Sequence, residues 1–293
     1  MRKLLQVPIG LKKKALKIAD DFGEDVLIDC ENRYGACDLA LIEAKMLNCE
    51  KIVHYGHSEF MKVDGIPIEY IETKEVYDPV PVLEKDFQKL KNYKNIGLVA
   101  TVQFLDALKV TKEFLEEKGI NVKIGKGRPH AGQIIGCDIS AAETIANDVD
   151  AFLYVGSGKF HPLGVALESQ KPVFVLDVER NEIYDLKDLR EKFLKQKYVA
   201  IALAKEAQKF GILVSVRPGQ NNINLAEILS KKIKAQGKKA YILVLNEVKP
   251  EKVEGLDIDC FVNTACPRIS IEDRTMYKKP ILSVEELKHV LNF

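Results

Sequence analysis

The chain has no long apolar run: nowhere in its 293 residues is there the stretch of roughly 18–20 apolar residues that a membrane-spanning helix needs. Its start, MRKLLQVPIGLKKKALKIADDFG, lacks an apolar stretch of about 7–15 residues before a small-residue cleavage site, so it does not read as a signal peptide. An excess of one charge is missing as well. With 44 Lys and Arg against 43 Asp and Glu, bulk basicity does not point to nucleic acid. Tryptophan is absent, and no two cysteines are spaced CxxC. Six cysteines scattered over so long a chain are not the dense framework of a small secreted domain, and reduced thiols are expected. These absences lead us to expect a cytoplasmic protein with no membrane segment and no nucleic-acid partner.

What is present is the material of a core. Hydrophobic residues make up 46% of the chain and charged ones 30%, a balance that fits a folded protein and excludes a disordered one. At about 100–200 residues per domain, the length allows two or three domains. Short apolar runs predict strands at 4–8, 26–29, 51–55, 96–101, 120–124, 151–155, 172–177, 211–216, 240–245 and 260–264. Helical patterns at 12–22, 38–47, 103–118, 138–147, 186–209 and 224–236 alternate with them. Strands that are apolar throughout are buried on both faces, as in a parallel sheet covered by helices. The alternation therefore predicts the α/β class, with small, mainly parallel sheets flanked by helices.

The chain also repeats itself. Aligned without gaps, residues 31–60 and 131–160 share Cys37/Cys137, Asp38/Asp138, Glu43/Glu143, Gly56/Gly156 and Phe60/Phe160. A third segment has the same order of elements without matching residue for residue. Three related domains are expected, at 1–92, 93–195 and 196–293, with a boundary near the Pro-rich 78–82 and another in the helical connection after 184.

Cys37 and Cys137 each follow a glycine-bearing loop that leaves a strand, and each precedes an Asp and a helical pattern. A thiol at a helix N-terminus faces free N–H groups and is biased toward thiolate; packing at a strand–helix corner is the plainer alternative. Cys266, in FVNTACPRISIED, follows a strand and precedes a helix start, with Ser270 and Asp273 at capping-box spacing. In open α/β sheets ligands gather beyond the carboxyl ends of the strands, where all three lie. Cys30, Cys49 and Cys260 sit at or inside apolar runs and are expected to pack as small hydrophobes. Three thiolates meeting where the domains come together suit zinc with an open position or a [4Fe–4S] cluster with one iron free of protein ligand. Spacing alone does not choose between them.

RYGACDLA, HYGHS, GQIIGCD, VSVRPGQNN and NTACPRISIED together resemble the archaeal diphthamide-biosynthesis family, the 3-amino-3-carboxypropyltransferases that act on translation elongation factor 2. The resemblance runs from end to end. It implies a homodimer of three-domain α/β chains, each carrying a [4Fe–4S] cluster on the cysteines that match Cys37, Cys137 and Cys266. It further implies that the open iron binds the methionine end of S-adenosylmethionine. Reduction by an external electron donor then cleaves the Cγ–S bond, giving methylthioadenosine and an aminocarboxypropyl radical that adds to a histidine of the elongation factor. Which sulfonium bond breaks depends on which carbon lies in line with the iron. The CxxxCxxC loop of ordinary radical S-adenosylmethionine enzymes is missing, and no acid–base triad is evident.

Other polar loops are candidates for cofactor contacts. Ser157 and Gly158, in GSGK, could bring backbone to a ribose or carboxylate, or form an ordinary turn. Gly219 and Gln220 could hold the amino-acid moiety, or a turn and N-cap. Arg268 could pair with the methionine carboxylate or tie down its own loop, and Gln133 is similar. His57 and His161 lie past strand ends and could line a cleft or face solvent. The basic run 126–130 could meet the protein substrate or only solvent. Two other readings compete: a partner subunit whose cluster only delivers electrons, and a zinc- or nucleotide-binding α/β protein.

Overall fold

Three sheets form within residues 1–291, which this computed structural model describes. The first contains β1 (Lys3–Pro8), β2 (Val26–Arg33), β3 (Lys51–Tyr55) and β4 (Ile68–Ile71), all parallel, in the order β2-β1-β3-β4. The second contains β5 (Asn95–Ala100), β6 (Asn121–Lys123), β7 (Ala151–Gly156), β8 (Val173–Asp177) and β9 (Glu182–Asp185), in the order β6-β5-β7-β8-β9. Only β9 runs antiparallel there. The third contains β10 (Lys209–Ser215), β11 (Lys239–Leu245), β12 (Cys260–Asn263) and β13 (Ile281–Ser283), all parallel, in the order β11-β10-β12-β13.

Counted within each sheet, all three therefore begin 2-1-3-4. The third copy, which residue matching does not align, has the same topology as the other two. Each winding reverses between its first and third strands, and at such a switch point the carboxyl ends leave a crevice for ligands. By packing, the first two sheets form one compact unit, Met1–Asp185, and the third belongs to another that begins at Leu186.

Residue alternation explains how each sheet is covered. Along β1, Leu5 and Val7 pack with Val53 against Ala15 and Ile18 of α1 (Ala15–Asp20). Leu4 and Ile52 face the other way, onto Ala44 of α2 (Leu41–Met46). Leu98, Leu153 and Leu176 of the second sheet meet Leu83 of α3 (Val80–Asp86) and Leu108 and Leu115 of α4 (Leu105–Glu117). Each such fully buried leucine stabilises the fold by roughly 1.5–3 kcal/mol. The short α5 (Ser140–Glu143) and α6 (Phe160–Glu168) complete this unit. In the second unit, α7 (Lys187–Lys205) and α8 (Ile223–Ala235) lay Ala204, Leu229 and Ile233 on Phe210, Ile212 and Val262. Ile269 of α9 (Pro267–Ile271) packs with Leu213, Phe261 and Ile281 on the opposite face, and α10 (Val284–Lys288) follows β13.

All ten expected strands form. Three more form at sheet edges, β4, β9 and β13; acidic residues interrupt the apolar pattern of β4 and β9, and β13 runs directly into a capped helix. The Pro-rich 78–82 is not a plain linker, because Pro81 sits in the first turn of α3, where a missing N–H costs nothing. The expected helix at 138–147 shrinks to the single turn of α5. The expected boundary at 195/196 falls inside α7, while the compact units divide at 185/186. Ser270 makes no capping box, since α9 already begins at Pro267; the box forms instead between Ser283 and Glu286 at the start of α10. Among the described residues no helix is long and apolar enough to cross a membrane.

Candidate functional site

Cys37 and Cys137 occupy the same kind of turn. In each, the residue after the cysteine closes a four-residue turn: the Asp38 N–H donates to the Gly35 carbonyl at 3.0 Å, and the Asp138 N–H to Ile135 at 3.2 Å. The cysteine is third in both. Each aspartate then takes an arginine, Asp38 from Arg33 at 2.9 Å and Asp138 from Arg128 at 2.9 Å. Neither cysteine sits at a helix N-terminus as expected: α2 starts four residues beyond Cys37, and α5 three beyond Cys137. Local turn bonds hold these two loops in place of helix capping. Cys266 does have the expected position, as the N-cap residue of α9.

Each cysteine loop is tied to the first strand of its own sheet. On β1 the fully buried Gln6 donates through Nε2 to the Asp38 carbonyl and accepts from the Ala40 N–H at 3.2 Å. At the end of β5, the Ala100 N–H donates to Gly132 and its carbonyl accepts from the Ile134 N–H, both at 2.9 Å. On β10, the Leu213 carbonyl accepts from Thr264 Oγ1 at 2.8 Å. Asn263 completes the third loop, accepting from the Ala265 N–H at 3.0 Å and donating to the Cys266 carbonyl at 2.8 Å.

In the first unit the carboxyl edges of the two sheets touch. Gln133 Nε2 donates to Ser58 Oγ at 2.9 Å, His130 Nε2 meets Glu72 at 2.7 Å, and Gln103 Nε2 donates to the Gly56 carbonyl at 3.1 Å. In the basic run 126–130, Arg128 thus pairs with Asp138 and His130 hydrogen-bonds Glu72, both within the fold. Gln133 is 2% exposed, and its Oε1 has no partner. Matching residues of the repeat also act alike. His54 shares a 3.0 Å hydrogen bond with His57, three residues on, while Tyr154 donates to the Ser157 carbonyl at 3.2 Å.

Electrostatically this edge is tightly set. Burial, then the neighbouring His57 and Arg33, push His54 down to about 3, and burial pushes His57 down to about 4; both are neutral near pH 7. Desolvation would lower the Arg33 pKa, but hydrogen bonds and charge from Asp29, Glu43 and Asp38 raise it above its ordinary value. The buried guanidinium contacts those three carboxylates at 2.6–2.9 Å. Sequence reasoning did not single out Gln6, Arg33 or Asn263. A polar residue inside an apolar strand, as in LLQVP and FVNTAC, is the signal that could have found Gln6 and Asn263.

His161 lies in the first turn of α6, its ring stacked on Tyr154 with centroids 6.5 Å apart. Gly158, at φ +76°, makes the turn before it. Gly219 and Gln220 lie in a 3-10 turn past β10, with Gln220 buried. Arg268 meets Glu272 at 2.7 Å, which is the loop-tying alternative. Of the other thiols, Cys49 and Cys260 are buried and shifted up by that burial, as small hydrophobes should be. Cys30 is exposed instead, because β2 is the outermost strand of its sheet. Within either unit alone, no three His, Cys, Asp or Glu side chains of the described residues form a metal-binding group. A cavity of about 230 Å³ between Pro250, Phe261 and Tyr277 has none of the predicted site residues in its wall.

Fold and site define an α/β protein of repeated 2-1-3-4 parallel sheets, with a cysteine loop at the carboxyl edge of each. The family described as "Putative diphthamide synthesis protein" matches residues 7–292, and the chain belongs to it. The chain is 34% identical, over 99% of its length and 85% of the relative's, to the 2-(3-amino-3-carboxypropyl)histidine synthase of Pyrococcus horikoshii. It is 29% identical, over 98% of its length and 75% of the relative's, to subunit 1 of the Caenorhabditis elegans synthase. The crystal structure of Pyrococcus horikoshii Dph2 with a 4Fe-4S cluster superposes with a TM-score of 0.89 at 33% identity, covering 99% of this chain and 85% of that one.

Proposed function

We propose that the chain transfers the 3-amino-3-carboxypropyl group of S-adenosylmethionine to a histidine of translation elongation factor 2, the first step of diphthamide synthesis. One observation carries the reading. Cys37, Cys137 and Cys266 each stand in a loop fastened to the first strand of its sheet, in a chain similar over 99% of its length to a protein whose structure has a 4Fe-4S cluster. The donor set fits such a cluster. Soft thiolates are its ligands, and these three thiols are half-buried or exposed, unlike Cys49 and Cys260. Cys37, Cys137 and Cys266 would hold it, with one iron left open for S-adenosylmethionine.

When bound, the cluster would supply the electron that breaks the Cγ–S bond, with methylthioadenosine as the nucleoside product. This chain's residues have the remaining tasks of binding, orienting and excluding water. Gln133 Oε1 offers a buried acceptor for the cofactor's ammonium group. Ser157, Gly158, Gly219 and Gln220 line the carboxyl edges of their sheets and offer backbone and amide contacts. Arg268 is available to a carboxylate on release from Glu272. His57 and His161 also stand at these edges, and neutral His57 adds no charge there. We read the chain as a cytoplasmic homodimer served by an external electron donor. The Pyrococcus horikoshii relative's name carries no subunit number, unlike that of Caenorhabditis elegans.

The test is anaerobic reconstitution with iron and sulfide, then addition of dithionite and S-adenosylmethionine and identification of the nucleoside by mass spectrometry. Methylthioadenosine is expected from the wild type and not from Cys37→Ala, Cys137→Ala or Cys266→Ala. Deoxyadenosine would overturn the bond choice, and tight zinc without turnover would overturn the cluster.

A further inference from the structure

Gln6 is wholly buried in the middle of an otherwise apolar strand, LLQVP. A buried carboxamide is unfavourable unless its donor and acceptor are both engaged. Both go to one place: Nε2 donates to the Asp38 carbonyl and Oε1 accepts from the Ala40 N–H. Residues 38–40 lie between the Cys37 turn and α2, in neither helix nor strand, and among the described residues no backbone carbonyl takes the Ala40 N–H. Gln6 therefore bonds the backbone of this segment at both ends.

Asn263 does the same in the other unit. It is 5% exposed at the end of β12. Its Oδ1 accepts from the Ala265 N–H, and its Nδ2 donates to the Cys266 carbonyl at 2.8 Å and to Ser270 Oγ at 3.3 Å. One side chain thus fixes the backbone on both sides of the peptide that leads into Cys266, and the first turn of α9 with it. The second sheet has an apolar residue, Leu98, in the interior of β5, and there strand backbone does the work through Ala100. The third loop has both devices: the β10 backbone accepts from Thr264 at the Leu213 carbonyl, and the Asn263 carboxamide clamps the residues that follow.

We propose that Gln6 and Asn263 are positioning residues that set the Cys37 and Cys266 thiols for the group they bind together. The inference rests on the reading of those cysteines as ligands of one cluster. Neither carboxamide touches the reacting atoms; each acts through the loop it clamps.

The experiment uses the full chain and follows each thiol separately. Native apo-protein is alkylated with iodoacetamide, and the rate at every cysteine is read by peptide mass spectrometry. Asn263→Ala should speed alkylation of Cys266 by about fivefold, the worth of one net hydrogen bond, while Cys37 and Cys137 stay within about twofold. Gln6→Met should do the converse, speeding Cys37 alone. Asn263→Ser, whose hydroxyl can still accept from the Ala265 N–H, and Gln6→Leu, which buries no charge, serve if a first variant exposes Cys49 and Cys260 through unfolding. After anaerobic reconstitution, each folded variant should contain less iron per chain than the wild type and, once reduced by one electron with dithionite, show a broadened electron paramagnetic resonance signal. Equal rates in variants and wild type, or a uniform rise at all three thiols, would overturn the proposal. If the selective pattern appears but the wild type itself takes up no iron, the clamps stand and the proposed function falls.

Discussion

Asp38 and Asp138 stand one hundred positions apart and close the same turn, each directly after a cysteine and each paired with an arginine at 2.9 Å. Their surroundings differ. Arg33 is 4% exposed and also contacts Asp29 and Glu43, whereas Arg128 is 79% exposed. Arg33→Met would leave the buried Asp29 and Asp38 without their cation, and should cost about 3–5 kcal/mol. Arg128→Met should cost less, about 1 kcal/mol, because the exposed guanidinium is itself screened by solvent. Urea unfolding of the two variants checks the contrast; similar losses would mean that Arg33 is not the hub of the first loop.

Gly136, next to Cys137, is pressed by the Phe160 ring so closely that a Cβ there would overlap the ring. The matching first-repeat residue is Ala36, and its Phe60 is exposed, so no such conflict arises. Gly136→Ala should destabilise by about 1–3 kcal/mol through overpacking. Adding Phe160→Leu should restore part of that loss, measured as a rise in thermal midpoint over the single variant. Failure of the second change to help would show that the ring is not the obstacle.

Acid should weaken the first sheet's edge. Below the ordinary histidine value of 6.5 the unfolded chain protonates both imidazoles. The folded chain resists until about 4 for His57 and about 3 for His54. Stability present above pH 6.5 is therefore lost as pH falls from there toward 4. At 1.36 kcal/mol per pKa unit, the loss at pH 5 is at most about 2 kcal/mol per histidine. A His54→Asn/His57→Asn double variant should lose less stability than the wild type between pH 7.5 and 5, and an unchanged difference would refute this.

Four of the six thiols should divide into two classes. Cys30 and Cys137 are exposed, while Cys49 and Cys260 are buried and shifted up by burial, which keeps them as unreactive thiols. Mass spectrometry after brief alkylation of the native protein should find the first pair modified and the second intact. Cys30→Ser, unlike Cys137→Ser, should leave iron uptake unchanged.

Ser283 caps α10 through a reciprocal pair with Glu286, whose carboxylate also takes Arg274 at 2.6 and 2.7 Å. Ser283→Ala should cost about 1 kcal/mol, read from a denaturation midpoint. No loss would mean that the Arg274 pair alone anchors this helix start.

How much of this was legible follows from where each signal resides. Apolar runs such as AFLYV and GILVSV announce strands buried on both faces, because side-chain burial alone decides them; the α/β class and every inner strand were readable. Of the six edge strands, β2, β6 and β11 were readable; β4 and β9 were not, because Glu69, Glu182 and Asp185 break their apolar pattern, and β13 runs straight into the helix that Ser283 caps. Cys37, Cys137 and Cys266 stood out because residue types at a strand's carboxyl end are a property of chain order. The third repeat's kinship was hidden, because strand order is conserved by topology and need not be written in identical residues.

The sequence by itself determined the class of fold, the repeat of Cys-Asp at an interval of one hundred and the thiols set apart from the core. Only the tertiary structure decided that turn bonds and arginines, not helix ends, hold Cys37 and Cys137. It alone showed that Gln133 meets Ser58 across two sheet edges, and that Gln6 and Asn263 reach the loops after distant strands. Those are contacts between residues far apart in the chain, and their existence depends on register and packing, which no local pattern encodes.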